Sequence, residues 1–117
     1  MIKLIKKEQM IQRKISDSYS VLNMITKETS KKVSFAVSEA ENHSEITKNV
    51  KSDRIYYVLE GQLTVSQGND VYTANPGDLI FIEVNTPYHF KGTFKAILIN
   101  APSFDQKNER ILKILSD

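Results

Sequence analysis

The sequence predicts an all-β domain, a small sandwich or barrel, and two observations carry that reading. Apolar residues recur with period two in short runs, and turn-forming clusters divide those runs at roughly 8–12-residue spacing. A third observation bounds the size: 117 residues, 40% apolar and 26% charged, suffice for one domain with one core. Residues 1–32 are expected to form an arm and strands that cover the barrel, with a short helix around Lys7 to Ile11. Residues 33–104 make the barrel. There Val33, Phe35 and Val37 alternate with polar or small neighbours, as do Tyr56 with Val58, Leu63 with Val65, Leu79 with Phe81, and Tyr88 with Phe90. Gly61 ends one strand, and Gln67-Gly68-Asn69-Asp70 reads as a hairpin. Asn75-Pro76-Gly77-Asp78 places Pro and Gly at the centre of a type II turn, where glycine supplies the positive φ and Asp78 caps the turn. Ile97, Leu98 and Ile99 are apolar on both faces, the pattern of a strand covered on both sides. Residues 105–117 change period. Ile111, Leu112, Ile114 and Leu115 fit a helical stripe and Ser103 with Gln106 has capping-box spacing, so a short C-terminal α-helix is expected from about Asp105 to Leu115, packed on the outside of the barrel.

Composition excludes several function classes. With no cysteine there are no disulfides, thiolate metal sites or cysteine nucleophiles. The longest apolar run, Ile55 to Leu59, is far short of the roughly 20 residues that cross a bilayer, so no membrane partner is expected. Lys3, Lys6 and Lys7 interrupt the N-terminus, which lacks the apolar segment of a signal peptide; a cytoplasmic location is the expectation. Net charge is +2, from 16 basic and 14 acidic residues. Binding phosphates along a nucleic acid needs clustered cations rather than a small excess, so no nucleic-acid partner is expected. Gly61, Gly68, Gly77 and Gly92 have no phosphate-cradling spacing, and neither His43 nor His89 is expected to belong to a hydrolytic triad.

The segment Arg54-Ile55-Tyr56-Tyr57-Val58-Leu59-Glu60-Gly61-Gln62-Leu63-Thr64-Val65 resembles the first conserved motif of the cupin superfamily. Pro76-Gly77-Asp78-Leu79-Ile80-Phe81-Ile82 through Asn85-Thr86-Pro87-Tyr88-His89-Phe90 resembles the second. The resemblance implies a double-stranded β-helix, the RmlC-like jelly roll, over roughly residues 33–104. It also implies a similarity to small bacterial cupins, a fold that hosts oxygenases, isomerases, epimerases, storage proteins and sensors. In metal-binding members the motif glutamate falls at Arg54 here, the paired histidines at Lys48 and Val50 or at Thr47 and Asn49, and the last histidine at Tyr88. None of these is the usual ligand, and a guanidinium cannot ligate a metal. No cofactor is therefore expected. Asn85 stands at a motif glycine, a position asparagine can fill because it tolerates the left-handed region.

By its family position Arg54 should point into the barrel with Tyr88, and period two brings Tyr56, Val58 and Phe90 with them while turning His89 outward. Arg54, Tyr56 and Tyr88, floored by Phe90 and Val58 and rimmed by Asn85, would suit a small anionic or carbohydrate-like ligand. A buried arginine also needs a partner, and Asp53, Glu45, Glu60, Glu83 and Asp78 are the candidates. The metal alternative is a set of His43, Glu45 and His89, two histidines and a carboxylate of the kind iron and manganese accept. His43 and Glu45 share a face if that segment is extended; otherwise His43 lies in a surface loop with Glu41, Asn42 and Ser44. The leading reading is a metal-independent, small-molecule-binding cupin. Its rival is an enzyme, either a metal-dependent oxygenase or isomerase with those atypical ligands or a metal-free sugar isomerase or epimerase. The metal-free version needs a tyrosine acid and an inward base, which His43 or an acidic residue would supply. A third reading is an interaction module whose barrel is filled by side chains. The resemblance implies a homodimer, with Ile2 to Ile5 and Val21 to Ile25 as segments that extend or cover an edge.

Overall fold

Alternation over this length of chain can only be satisfied by rolling a sheet so that one face is enclosed, and that is the arrangement found. The computed structural model describes residues 1–116. Its strands are β1 (Ile11–Ser16), β2 (Tyr19–Ile25), β3 (Ser34–Asn49), β4 (Asp53–Gln67), β5 (Asp70–Ala74), β6 (Leu79–Ile82), β7 (Tyr88–Ala101) and β8 (Glu109–Ile114). All pair antiparallel in the order β1-β2-β3-β7-β4-β5, with β6 on β4 and β8 on β3. The long strands change partners along their length. Arg54 to Tyr57 of β4 pair with β6 and Leu63 to Gln67 pair with β5, while Phe35 to Ala40 of β3 pair with β2 and Glu45 to Asn49 pair with β8. That exchange rolls the sheet into the jelly-roll barrel expected.

Register shifts mark the bends, between Ala40 and His43 in β3 and between Val58 and Glu60 in β4. Beside the second bend, Gly61 (φ +77°) and Gly92 (φ +136°) bring the β4 and β7 backbones together. A Cβ on Gly61 would collide with the Thr93 carbonyl oxygen, and one on Gly92 with that of Gln62. The two sequence-predicted turns also form. Gly68 has φ +59° between the paired Gln67 and Asp70, and Gly77 has φ +93° in a turn closed by Asp78 N–H on the Asn75 carbonyl at 2.9 Å.

The inner face carries the aromatic core of Tyr19, Tyr56, Tyr88, Phe90 and Phe94 with Val58, Leu63 and Leu98. Along β3 the inward residues before the bend are small, Ser34, Ala36, Ser38 and Ala40, which leaves room opposite the aromatics. Phe35 and Val37 face outward instead. They begin two apolar rows across the outer face, Phe35–Ile99–Ile55–Phe81 and Val37–Ile97–Tyr57–Leu79.

Three elements differ from the sequence reading. The expected C-terminal α-helix is a 3-10 turn, Gln106–Asn108, followed by β8. Ile111, Leu112, Ile114 and Leu115 satisfy a helical stripe and a strand equally well, and the far half of β3 offers a free edge that a strand satisfies with backbone hydrogen bonds. Ser103 does not cap a helix; its hydroxyl donates to the Ser30 carbonyl, and Asp105 accepts the Lys107 N–H at 3.2 Å instead. Near the N-terminus the expected helix is a 3-10 turn, Lys7–Gln9, because β1 claims Ile11. Val21 to Ile25 lies within β2, which covers one edge of β3 in the same chain, whereas Ile2 to Ile5 forms no strand. Among the described residues no helix is long and apolar enough to cross a membrane.

Candidate functional site

Arg54 enters the barrel from the start of β4 and is 4% exposed, so each of its donors must find a protein acceptor. Its Nε donates to Asn100 Oδ1 (2.8 Å), one terminal nitrogen donates to Glu109 Oε2 (3.0 Å) and to the Tyr88 hydroxyl oxygen (2.9 Å), and the other donates to Glu109 Oε1 (2.8 Å). The fork is thus bidentate on Glu109, the first residue of β8, which also accepts from Thr47 Oγ1 (3.1 Å) and Asn49 Nδ2 (3.0 Å). Burial alone would raise the Glu109 pKa, but the Arg54 guanidinium and these hydrogen bonds bring it below the usual carboxylate value. Arg54 moves the other way: burial works against its charge, yet Tyr88, Tyr56 and Glu109 hold it well above its ordinary value.

The direction of the remaining hydrogen bonds follows. A guanidinium only donates, so the Tyr88 oxygen is an acceptor towards Arg54. Tyr56 and Tyr88 hydroxyls are 2.8 Å apart. Tyr88 has no other acceptor within reach among the described residues, so its proton goes to the Tyr56 oxygen. The Tyr56 hydroxyl is then left to donate into the cavity it lines. Burial, followed by the neighbouring phenols, pushes the Tyr56 pKa well up, which keeps that proton in place. Tyr88 is raised too, again by burial first, against the lowering pull of Arg54.

The opposite side is built by β3 beyond its bend. Because Glu41 and Asn42 bulge outward, with Asn42 at φ +48°, His43 and Glu45 turn inward together. Both are buried, 1% and 2% exposed, with His43 Nε2 2.8 Å from Glu45 Oε1. The other ring nitrogen, Nδ1, meets Ser18 Oγ (2.7 Å) and Ser116 Oγ (3.2 Å), and the imidazole stacks on Tyr19 at 4.8 Å between centroids. Glu45 lines the cavity, whereas His43 stands behind it. The second Glu45 oxygen has no partner among the described residues, and no side-chain oxygen sealed from solvent lacks one, so this oxygen opens on the cavity.

Between these sides lies a cavity of about 40 Å³, walled by apolar residues of β1, β2, β3, β7 and β8 such as Ile15, Val21, Ala36, Leu98 and Ile111. The barrel is not filled by its side chains.

The structure brings Arg54, Tyr56, Tyr88 and Phe90 together, with Tyr88 behind Tyr56 rather than on the cavity wall. Asn85 adopts the left-handed conformation at φ +63°, but it sits exposed in the turn before β7, gives its N–H to the Asn49 carbonyl and does not line the cavity. His43 is in strand, not in a surface loop, because β3 continues through the bulge. The alternative ligand set does not assemble: His89 faces away from the barrel interior, bonded to Ser44 Oγ at 2.6 Å, and burial and then Lys91 lower its pKa. Among the described residues no three His, Asp or Glu side chains are placed to hold a metal. None of the five candidate acids pairs with Arg54. Glu45 serves His43, Asp53 accepts the Val84 N–H, Asp78 accepts the Asn75 N–H and Glu60 lies beside Lys95. The partner is Glu109, which the helical reading of residues 105–115 left without a direction. Asn100 and Tyr19 were also unread as site residues. Asn100 was within reach, because period two runs unbroken from Tyr88 to Asn100 along β7.

With the geometry in hand, comparison with known proteins is specific for the family. The profile of the Cupin domain family matches residues 38–100. No curated protein matches the sequence. Among solved structures, a tyrosine-to-phenylalanine variant of Streptomyces PAC13 with uridine is similar at a TM-score of 0.84 and 21% identity, covering 99% of this chain and 94% of that one. Pac13, a nucleoside dehydratase, gives 0.84 and 20% over 99% and 95%. KdgF from Halomonas sp. gives 0.76 and 12% over 90% and 99%. At these identities the likeness is one of fold.

Proposed function

We propose that this chain, which belongs to the cupin domain family, binds a hydroxylated ring of the nucleoside or sugar type in its barrel and moves protons on it. Glu45 is the acceptor and Tyr56 the donor. The observation that carries this reading is the pair itself: among the described residues, a carboxylate oxygen with no partner and a phenol whose proton has no acceptor open on the same small cavity. Arg54 does not favour an anion at this point, because Glu109 already occupies its fork. The apolar walls suit the faces of a ring and the two polar groups suit its hydroxyls, and the cavity of about 40 Å³ would have to widen to admit one, since ligand pockets commonly hold about 300 Å³ or more.

In chemical terms Glu45 removes a proton from a carbon beside a hydroxyl-bearing carbon, the electron pair forms the new double bond, and the Tyr56 proton leaves with the hydroxyl as water. On an aldose in its open form the same pair would give an isomerisation: Glu45 carries the proton from C2 to C1, while Tyr56 protonates the C1 carbonyl oxygen and takes back the proton of the C2 hydroxyl as the C2 carbonyl forms. The His43 bond holds the Glu45 carboxylate in place, and Arg54 with Tyr88 fixes the direction of the Tyr56 hydroxyl. General acid–base groups of this kind contribute about 10²–10⁴-fold each. Support comes also from the uridine complexes of PAC13, whose variants replace two tyrosines and a histidine, the residue types found here as Tyr56, Tyr88 and His43.

The test is a panel of nucleosides and aldoses, screened by calorimetry and then by NMR in deuterated water for loss of water or uptake of deuterium. Glu45→Gln and Tyr56→Phe should bind the ligand within a few-fold of wild type and lose about 10²–10⁴ in turnover. Turnover unchanged in Glu45→Gln would overturn the assignment of the base.

A further inference from the structure

The start of β3, opposite in the strand to Glu45, gives the cavity a second polar end of different chemistry. Ser34 and Asn100 are cross-strand partners on β3 and β7, both buried, and both line the cavity with Arg13 of β1. Asn100 must turn its oxygen to Arg54 Nε, because that nitrogen only donates, so its Nδ2 points elsewhere. Nδ2 has no partner among the described residues, and since no sealed side-chain polar atom lacks one, its two N–H groups open on the cavity. The Ser34 oxygen accepts the Phe104 N–H at 2.8 Å, which leaves its hydroxyl proton to give. Arg13 is held over the Phe104 ring, its guanidinium carbon 4.9 Å from the centroid, and makes no hydrogen bond or ion pair among the described residues. All three groups therefore offer donors.

Charge points the same way. Four charged side chains line the cavity, Arg13, Glu45, Arg54 and Glu109. Arg54 is paired with Glu109 and Glu45 is hydrogen-bonded to His43, whereas Arg13 contacts no carboxylate among the described residues.

We infer that Arg13, Ser34 and Asn100 form an anion subsite that takes a carboxylate or phosphate group carried by the ring ligand. The ring rests on the function proposed above; the anion does not. A fork-shaped guanidinium fixed by stacking, with further N–H and O–H donors beside it, fits the oxygens of either group.

The test titrates wild type and Arg13→Gln calorimetrically at low ionic strength with uridine, uridine 5′-monophosphate, glucose, glucuronate and inorganic phosphate. Arg13 is half-buried on β1, and the thermal unfolding of the variant should match wild type. In wild type the anionic member of one pair should bind about tenfold tighter than its neutral partner, and the advantage should fall below about twofold in Arg13→Gln. An advantage for the monophosphate assigns phosphate, and one for glucuronate assigns carboxylate. Equal binding of neutral and anionic members, an advantage that survives in Arg13→Gln, or no binding of any probe overturns the subsite. Uridine bound without gain from the anion keeps the ring reading and removes the subsite. Inorganic phosphate bound through Arg13 with no ring bound keeps the subsite and removes the ring reading.

Discussion

Replacing Glu109 by alanine removes the carboxylate that accepts from both terminal nitrogens of Arg54 and from the side chains of Thr47 and Asn49. Arg54 is 4% exposed and its other two acceptors, Asn100 and Tyr88, carry no formal charge, so the variant holds a buried cation without a counter-charge. Breaking a buried pair in this way costs about 3–5 kcal/mol. A domain of this size is stable by about 5–15 kcal/mol, so the loss is a large share of the total. Arg54→Met should cost less, because the orphaned carboxylate keeps the Thr47 and Asn49 donors. The double variant Arg54→Met, Glu109→Leu should recover most of the loss, since apolar replacement of a buried pair is often neutral. The assay is urea unfolding of wild type, both single variants and the double variant, which closes a double-mutant cycle. Acid gives an independent reading. The folded Glu109 pKa lies below its ordinary value, so its contribution is complete above about pH 4.3 and is lost as pH falls through the folded pKa. Glu109→Ala should lack that acid loss. A cost under about 1 kcal/mol, the value of an exposed pair, or an acid limb identical to wild type would refute the argument.

Two further outcomes follow from the packing. Gly92→Ala, where φ is +136° and the added Cβ strikes the Gln62 carbonyl, should cost at least about 3 kcal/mol, whereas Gly68→Ala, with open space around its Cβ, should cost about 1–2 kcal/mol for its left-handed φ alone. Equal losses in thermal melts would remove the steric explanation. In alkali, burial raises the pKa of Tyr19, Tyr56 and Tyr88, so their contribution is complete below the ordinary phenol value near pH 10 and is lost as pH rises. Phenolate absorbance followed with circular dichroism should show these three ionising only as the β signal collapses; five phenols ionising with the fold intact would contradict it.

What the sequence reveals depends on whether alternation stays in phase. Along β7 every inward residue from Tyr88 to Asn100 is even-numbered, so the core face can be read directly. In β3 the inward set is even up to Ala40 and odd from His43, because Glu41 and Asn42 bulge, and a fixed period loses His43 and Glu45 at that point. A bulge has no signature here beyond two polar residues, which equally suggest a loop. The C-terminal error has a different origin. Four aliphatic residues within Ile111 to Leu115 satisfy both periods, and only the open edge of β3, a feature of tertiary structure, decides for the strand.

The electrostatics of the site were the least legible part, and their position in the chain explains why. The segment that matches the family profile, residues 38–100, supplies Glu45, Arg54, Tyr56, Tyr88 and Asn100. Two of the four charged side chains that line the cavity lie outside it, Arg13 on β1 and Glu109 on β8. Motif positions place Arg54 inside the barrel but carry no information on what neutralises it, since that residue arrives on a strand added to the edge of β3. With Glu109 in place the guanidinium becomes an internal brace for Tyr88 and hence for the Tyr56 hydroxyl, and the cavity-lining cation that contacts no carboxylate among the described residues is Arg13 on β1. On the proposed reading, therefore, the groups that move protons come from the segment the family profile matches, and the cation that selects charge comes from a flanking strand. Exchanging β1 or β8 should change which ligand is held while leaving the Glu45–Tyr56 pair where it is.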